Sequence, residues 1–317
     1  MKKLKALSLI TAVLMTAACV LSSCGGGKIY LATGGETGTY YSYGMAVSNV
    51  ITEKTGIEFG VQSTGASKAN LQMVADGEVK MAIVQNDVMD YAFNGTNTFA
   101  ETGKLTGFSA VCTLYAEVLQ IVATPDIQSI ADLKGKRVSV GDAGSGVEFN
   151  AKQVLEAYGM TFDDITVQNL GFTDSADKFK DGQLDAFFVT AGAPTTNITD
   201  LSTTNDFVLL SVGETEIQYL KDNYGYYTTY TLPAGTYANV TEDTTTVAVM
   251  ATLVAADSLD EETVYNITKT IYENIPTITN AHAKGAELNV ETALDGISIP
   301  IHPGAAKYFT EVGTLVG

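Results

Sequence analysis

Arginine is almost absent from this 317-residue chain; Arg137 is the only one. Bidentate guanidinium clamps for carboxylate or phosphate are thereby nearly excluded. An anion would have to be held by backbone N–H groups, hydroxyls or a lysine. Histidine is as scarce, with only His282 and His302. No spacing of His, Cys and carboxylates suggests a zinc or iron site, and no Ser–His–Asp or Cys–His set can be assembled. The chain therefore reads as no enzyme, with no metal and no cofactor. His302, just before Pro303, reads as a turn-fixing residue and His282 as a surface helix residue. Positive charge is short overall, 18 Lys and Arg against 36 Asp and Glu, for a net −18. That balance opposes nucleic-acid binding and electrostatic docking on anionic lipid.

Cysteine gives no disulfide framework. The three are Cys19, Cys24 and Cys112. Cys112 lies in the apolar Ala110–Leu114 run and reads as a buried thiol. The other two belong to an N-terminal pattern: lysines at 2, 3 and 5, an apolar run through Val20, then Leu21-Ser22-Ser23-Cys24. The run is short and ends in small residues, which fits a lipoprotein-type secretory signal over 1–23 better than a membrane span. Cys24 is then the lipidation site and 24–28 a lipidated cysteine with a glycine tether, since stable attachment takes more than one acyl chain. A plainly cleaved signal is the alternative. Loss of the three lysines takes the formal charge from −18 to −21. The expected location is extracytoplasmic, anchored to the cell membrane by lipid.

The remainder is long enough for two domains of ordinary size. Ile29–Thr33 reads as a strand, 34–39 as a Gly/Thr loop, and Tyr40–Lys54 as a helix with Tyr43, Val47, Val50 and Ile51 near one face. Strand Glu58–Ser63, helix Ser67–Asp76 and strand Met81–Val84 follow. Such alternation predicts an α/β fold with a mainly parallel sheet. Val118–Thr124 reads as an apolar strand crossing into a second domain. There Ser129 and Asp132 form a capping-box pattern, Arg137–Val140 is a strand, and Val147–Tyr158 is a helix stopped by Gly159. Strands Ile165–Asn169, Ala186–Thr190 and Val208–Ser211 complete that domain, with helix Ser175–Lys180 among them. The tyrosine-rich Tyr224–Tyr237 reads as a loop returning to the first domain. Thr246–Ala255 is a β-branched strand, Glu261–Ile275 a helix, and Ala305–Glu311 the last helix. No long linker divides the domains, so two lobes joined by crossing strands are expected: 29–115 with 232–317, and 116–231. A ligand would lie in the cleft between them.

Two loops carry the chemistry. Gly34-Gly35-Glu36-Thr37-Gly38-Thr39-Tyr40-Tyr41 lies between strand and helix, where uncommitted N–H groups, hydroxyls and aromatic walls favour an anion. It lacks the Gly-Lys-Ser/Thr ending of a phosphate loop. Gly141–Gly146 repeats the arrangement in the other lobe, where Ser145 and the amides of Gly144–Gly146 could grip a ligand's other end. A tight structural turn is the plain alternative for each. Gln85 and Asp87, at the end of a buried strand, offer an amide and a carboxylate. Asp87 could meet a ligand ammonium or cap the following helix. Thr190, before Ala191-Gly192-Ala193-Pro194, stands at a strand end, where open α/β sheets meet ligands.

Five segments in order, GGETGTYY at 34–41, AIVQND at 82–87, SIADLKGKRVSVGDAGSG at 129–146, DGQLDAFFVTAGAP at 181–194 and IPIHPGAAKYF at 299–309, resemble the TAXI family of TRAP-transporter solute-binding proteins. The resemblance implies a two-lobed type II periplasmic-binding-protein fold that closes on a small organic acid or amino acid, glutamate or glutamine above all. It implies delivery to a TRAP membrane permease driven by an ion gradient. It places the ligand contacts at Thr37, Gly38, Thr39, Tyr40 and Tyr41, at Gln85 and Asp87, and at Gly144, Ser145 and Gly146. Lys307 stands where the family commonly has arginine, and Glu36 puts a negative charge in the first loop. A binding lipoprotein of an ABC importer, or a ligand-sensing subunit of a signalling system, would share fold and anchor.

Overall fold

The computed structural model describes residues 27–315; the expected signal, Cys24 and most of the glycine tether lie outside the described residues. The first half opens with β1 (Ile29–Ala32), α1 (Thr39–Thr55), β2 (Phe59–Gln62), α2 (Ser67–Ala75), β3 (Met81–Gln85) and α3 (Asn86–Asn94). Helix α1 buries Tyr40, Tyr43, Val47, Val50 and Ile51, and stops where Gly56 takes the left-handed conformation at φ 76° to bond Thr52 O. Burying each such side chain contributes roughly 1.5–3 kcal/mol.

β4 (Phe108–Ala123) is a single 16-residue strand, buried on both faces along almost its whole length. At about 3.3 Å per residue it spans roughly 50 Å, enough to cross both halves of the molecule. The expected strand at Val118–Thr124 is only its second part. The apolar runs around Cys112 and Ile121 belong to one strand with Glu117 between them. Beyond it come β5 (Arg137–Ser139), α4 (Gly146–Ala157), β6 (Thr166–Gln168), α5 (Phe172–Lys180), β7 (Ala186–Ala191), α6 (Thr196–Ser202), β8 (Val208–Leu209) and α7 (Glu214–Tyr224). The Ser129/Asp132 capping box is present in both directions. The expected loop at Tyr224–Tyr237 instead contains β9 (Thr228–Leu232), paired antiparallel with Thr244–Ala248 of β10 (Thr244–Ala256). Thr228, Thr229 and Thr231 explain it, because β-branched residues fit a pleated edge. Helices α8 (Glu261–Glu273), α9 (Ile275–Ala281) and α10 (Pro303–Glu311) close the chain.

The strands form one sheet in the order β2-β1-β3-β10-β4-β7-β5-β6, with β8 added to β4 and β9 to β10. The sheet is mixed: parallel pairs occupy its two wings, and the antiparallel β4 and β10 run between them. These two strands change core midway. Val111, Cys112, Leu114 and Tyr115 pack with Ala251 and Leu253 in one apolar cluster. Leu119, Ile121 and Ala123 pack with Val247 and Val249 in another. The switch falls at the register pair Ala116–Met250, next to a bulge between Ala251 and Thr252. Leu232, Tyr237 and Val240 pack with Phe187 and Val189 of the second half. Cys112 is a buried free thiol, as its apolar neighbours suggest.

Candidate functional site

The carboxyl ends of β3 and β7 meet the middle of the crossing strands, Gln85 opposite Ala251 and Ala191 opposite Val118, and a cavity lies there. It is lined by Gly34, Gly38, Thr39 and Tyr40 from the first loop and α1, and by Gln85 and Ser67. Glu117, Asp142, Ser145, Gly146, Phe172, Thr190 and Ala191 complete most of its wall. Of the residues singled out from sequence, Gly38, Thr39, Tyr40, Gln85, Ser145, Gly146 and Thr190 are thus brought together. Thr37, Tyr41, Gly144 and Asp87 are not among the lining residues.

Each of those four has another occupation or place. Thr37 Oγ1 meets Thr173 Oγ1 at 3.1 Å, Gly144 N donates to Glu148 Oε2 at 2.6 Å, and Tyr41 is half-buried. Asp87 is fully buried in the first turn of α3. Its Oδ1 accepts from Val88 N at 2.8 Å and its Oδ2 from Asn150 Nδ2 at 3.2 Å. The strand ends at Gln85 and a helix begins at Asn86, so two-residue alternation no longer applies at Asp87. Ser145 lines the cavity, but its hydroxyl also caps α4 by accepting from Glu148 N at 3.2 Å. Glu36 is exposed and stands outside the lining. Helix α1, by contrast, begins at Gly38 with no side-chain cap and no acidic residue in its first turn. Its leading N–H groups are the local donors for an anion.

Glu117 is the residue that sequence reasoning missed. It is 1 % exposed, and only Gln85 Nε2, at 3.3 Å, donates to its Oε2. Glu117 Oε1, Gln85 Oε1, Tyr40 Oη and Thr190 Oγ1 are all buried without a hydrogen-bond partner, and all four side chains line this cavity. Four unpartnered polar groups around one space are unusual, because an unmade buried hydrogen bond costs about 1–3 kcal/mol. Burial pushes the Glu117 carboxyl up to about 8, with the nearby Tyr40 hydroxyl and Gln85 amide opposing the shift. Burial also raises Asp142, with Asp174 adding repulsion. Ser67, also missed, accepts from Gln85 N at 3.1 Å and holds that residue in place. The available signal was a lone acid inside an apolar stretch.

The two halves meet around the cavity. Thr39 Oγ1 donates to Gly192 O at 3.0 Å. A Cβ on Gly146 would overlap the Gln85 carboxamide, and one on Gly192 would fall 2.8 Å from both Thr39 Cγ2 and Lys284 Cε. These glycines are what permit the apposition. The two histidines lie elsewhere. His302 caps α10 by accepting from Gly304 N at 3.2 Å, which is the turn-fixing role expected. His282 stands just past the end of α9, half-buried against Tyr43 rather than on a helix surface. Among the described residues no group of His, Cys, Asp and Glu is arranged to hold a metal, and no helix is long and apolar enough to cross a membrane.

A family model described as the NMT1-like family matches residues 31–313. Solved structures share the fold at low identity. The periplasmic aliphatic sulphonate binding protein SsuA from Escherichia coli is 14% identical, with a TM-score of 0.51 over 89% of this chain and 82% of its own. A putative L-cystine ABC transporter protein from Listeria monocytogenes is 15% identical, with a TM-score of 0.51 over 83% and 98%. A Bordetella bronchiseptica RB50 protein is 15% identical, with a TM-score of 0.52 over 90% and 81%. The α/β architecture expected from sequence, that of the periplasmic binding proteins, is the one these chains share.

Proposed function

This chain belongs to the NMT1-like family, and on that premise we propose that it is an extracytoplasmic solute-binding receptor. It captures a small organic acid or amino acid by closing two lobes over it, and passes it to a membrane importer. The observation that carries this reading is the set of buried, unpartnered polar atoms of Tyr40, Gln85, Glu117 and Thr190 around one cavity. A receptor needs a desolvated site whose hydrogen bonds are completed by its cargo, whereas a structural core completes its own. The proposed lobes follow the switch of core in β4 and β10: 29–115 with 251–315, and 116–250. Anchoring through Cys24 belongs to the same proposal.

The importer is read as a TRAP permease of the TAXI class, on the five ordered segments that resemble that family. The second reading is an ABC importer, favoured by the likeness to binding proteins of such systems. A permease pulled down without an ATPase supports the first, and one accompanied by an ATPase supports the second. The receptor reading itself is tested by thermal shift on the full-length protein in mild detergent. Bound solute is first removed by unfolding and refolding, and amino acids, dicarboxylates, 2-oxo acids and sugars are then screened. Cargo that binds only the folded form stabilises it by about 2.7 kcal/mol at 100 times its Kd. A concentration-dependent rise in Tm is expected from one solute class, and no shift from any class contradicts the proposal.

A further inference from the structure

Resting on the receptor reading, we infer that Glu117 determines specificity, and that the cargo must present a cationic N–H donor, such as a primary ammonium, to its carboxylate. The cavity wall contains two carboxylates, Glu117 and Asp142, and no lysine, arginine or histidine. Lys284, behind Thr39, is committed to Glu287 at 2.5 Å. Glu117 Oε1 and Gln85 Oε1 are acceptors waiting for donors. A dicarboxylate finds no cation in the wall and could use Glu117 only as a protonated donor, so its affinity would fall with rising pH where that of an ammonium rises. An amino acid suits both ends, its carboxylate at the uncapped N-terminus of α1 and its ammonium at Glu117.

The groups facing Glu117 supply no substitute cation. Helix α1 offers Tyr40, its own strand Tyr115, β3 Gln85, and α3 Asp87. Across the sheet register β10 offers Val249, β7 offers Thr190 and Ala191, and the loop after β5 offers Asp142. Free of cargo, the carboxyl is held up to about 8 by burial, with Asp87 adding repulsion. At pH 7 it is therefore largely protonated, and an ammonium can pair with it only after that proton leaves. Binding at pH 7 releases up to one proton, and affinity rises with pH until about 8.

The test is titration calorimetry on the stripped full-length protein at pH 7, in phosphate and in Tris. The probes are amino acids, diamines, and their ammonium-free 2-oxo acid and dicarboxylate counterparts. An ammonium-bearing solute is expected to bind with a buffer-dependent heat that reports proton release. Its ammonium-free counterpart should bind at least about 100-fold more weakly. Glu117→Gln should lose at least about 100-fold in affinity and its buffer dependence without lowering the unliganded Tm. Glu117→Asp should keep the preference at reduced affinity. Equal binding of a 2-oxo acid and its amino acid, or unchanged binding by Glu117→Gln, overturns the assignment. Binding of ammonium-free acids or sugars alone overturns it and leaves the receptor reading standing. Silence from every solute class removes both.

Discussion

Asp87 and Glu117 are both carboxylates buried where the two halves of the chain meet, yet their surroundings differ. Asp87 joins a network that spans the seam. Asn150 Nδ2 reaches both it and Tyr227 Oη, the Tyr227 hydroxyl donates to Gln153 Oε1, and Gln153 Nε2 donates to Tyr91 Oη. In that network only the Asn150 carbonyl oxygen is left over. Glu117 has one long bond, and open polar atoms on its neighbours. Burial alone does not identify a binding carboxylate. Hydrogen-bonding capacity left unspent in a cavity does, because a partner from outside must then repay the desolvation.

The comparison breaks first at Asp87. Asp87→Ala strands Asn150 and the Val88 amide, and should destabilise the unliganded protein by about 3 kcal/mol in a urea titration. Cargo affinity of the folded fraction should stay within about threefold. A loss of affinity matching that of the Glu117 variants would show that the two acids are not distinct in role.

A seam glycine gives the next largest effect. Gly146→Ala places a Cβ in collision with Gln85 Oε1, and displacing that cavity-lining side chain should cost about 2 kcal/mol of binding, or roughly 30-fold in affinity. The Tm without cargo should fall as well, because buried Gln85 must move aside, offset in part by alanine's better helix propensity at the start of α4. Calorimetry and a thermal scan on the same sample separate the two effects.

Tyr227→Phe should follow at about 1 kcal/mol of stability, from the loss of the hydroxyl that links Asn150 to Gln153. Cargo binding should be untouched.

The two acids also differ in pH dependence. Burial chiefly holds Asp87 up to about 7 and Glu117 up to about 8. For an acid raised in the folded state, the stabilising contribution is complete below its unfolded pKa, near 4, and is lost as pH rises through its folded value. The unliganded Tm should therefore fall from pH 5 to pH 8. Asp87→Asn should remove the part of that slope ending near 7, and Glu117→Gln the part ending near 8. A Tm that rises over this range in the wild type would contradict the assignments.

Much of the architecture was legible because its signals are local. The apolar spacing of α1, the glycine stops, the Ser129 capping box and the two glycine loops depend on neighbours in sequence, and they stand where expected. The candidate site was legible in part, through Gly38, Thr39, Tyr40, Gln85, Ser145, Gly146 and Thr190. Glu117 was hidden because a charge between two apolar runs resembles a boundary, and only pairing with β10 and β7 shows one strand passing through it. Asp87 was placed at a strand end, but α3 begins at Asn86, and its first turn carries Asp87 into the network with Asn150 rather than to the cavity wall. The antiparallel pairing of β4 with β10, which joins the halves, brings together residues more than a hundred positions apart. No local pattern encodes it.

The most direct test of the central claim compares cargo-induced thermal shifts in the wild type, Glu117→Gln and Asp87→Asn under one set of conditions. Glu117→Gln is expected to keep its unliganded Tm and lose the shift, while Asp87→Asn retains the shift whatever its starting Tm. The reverse pattern, with the shift surviving in Glu117→Gln and vanishing in Asp87→Asn, would contradict the claim.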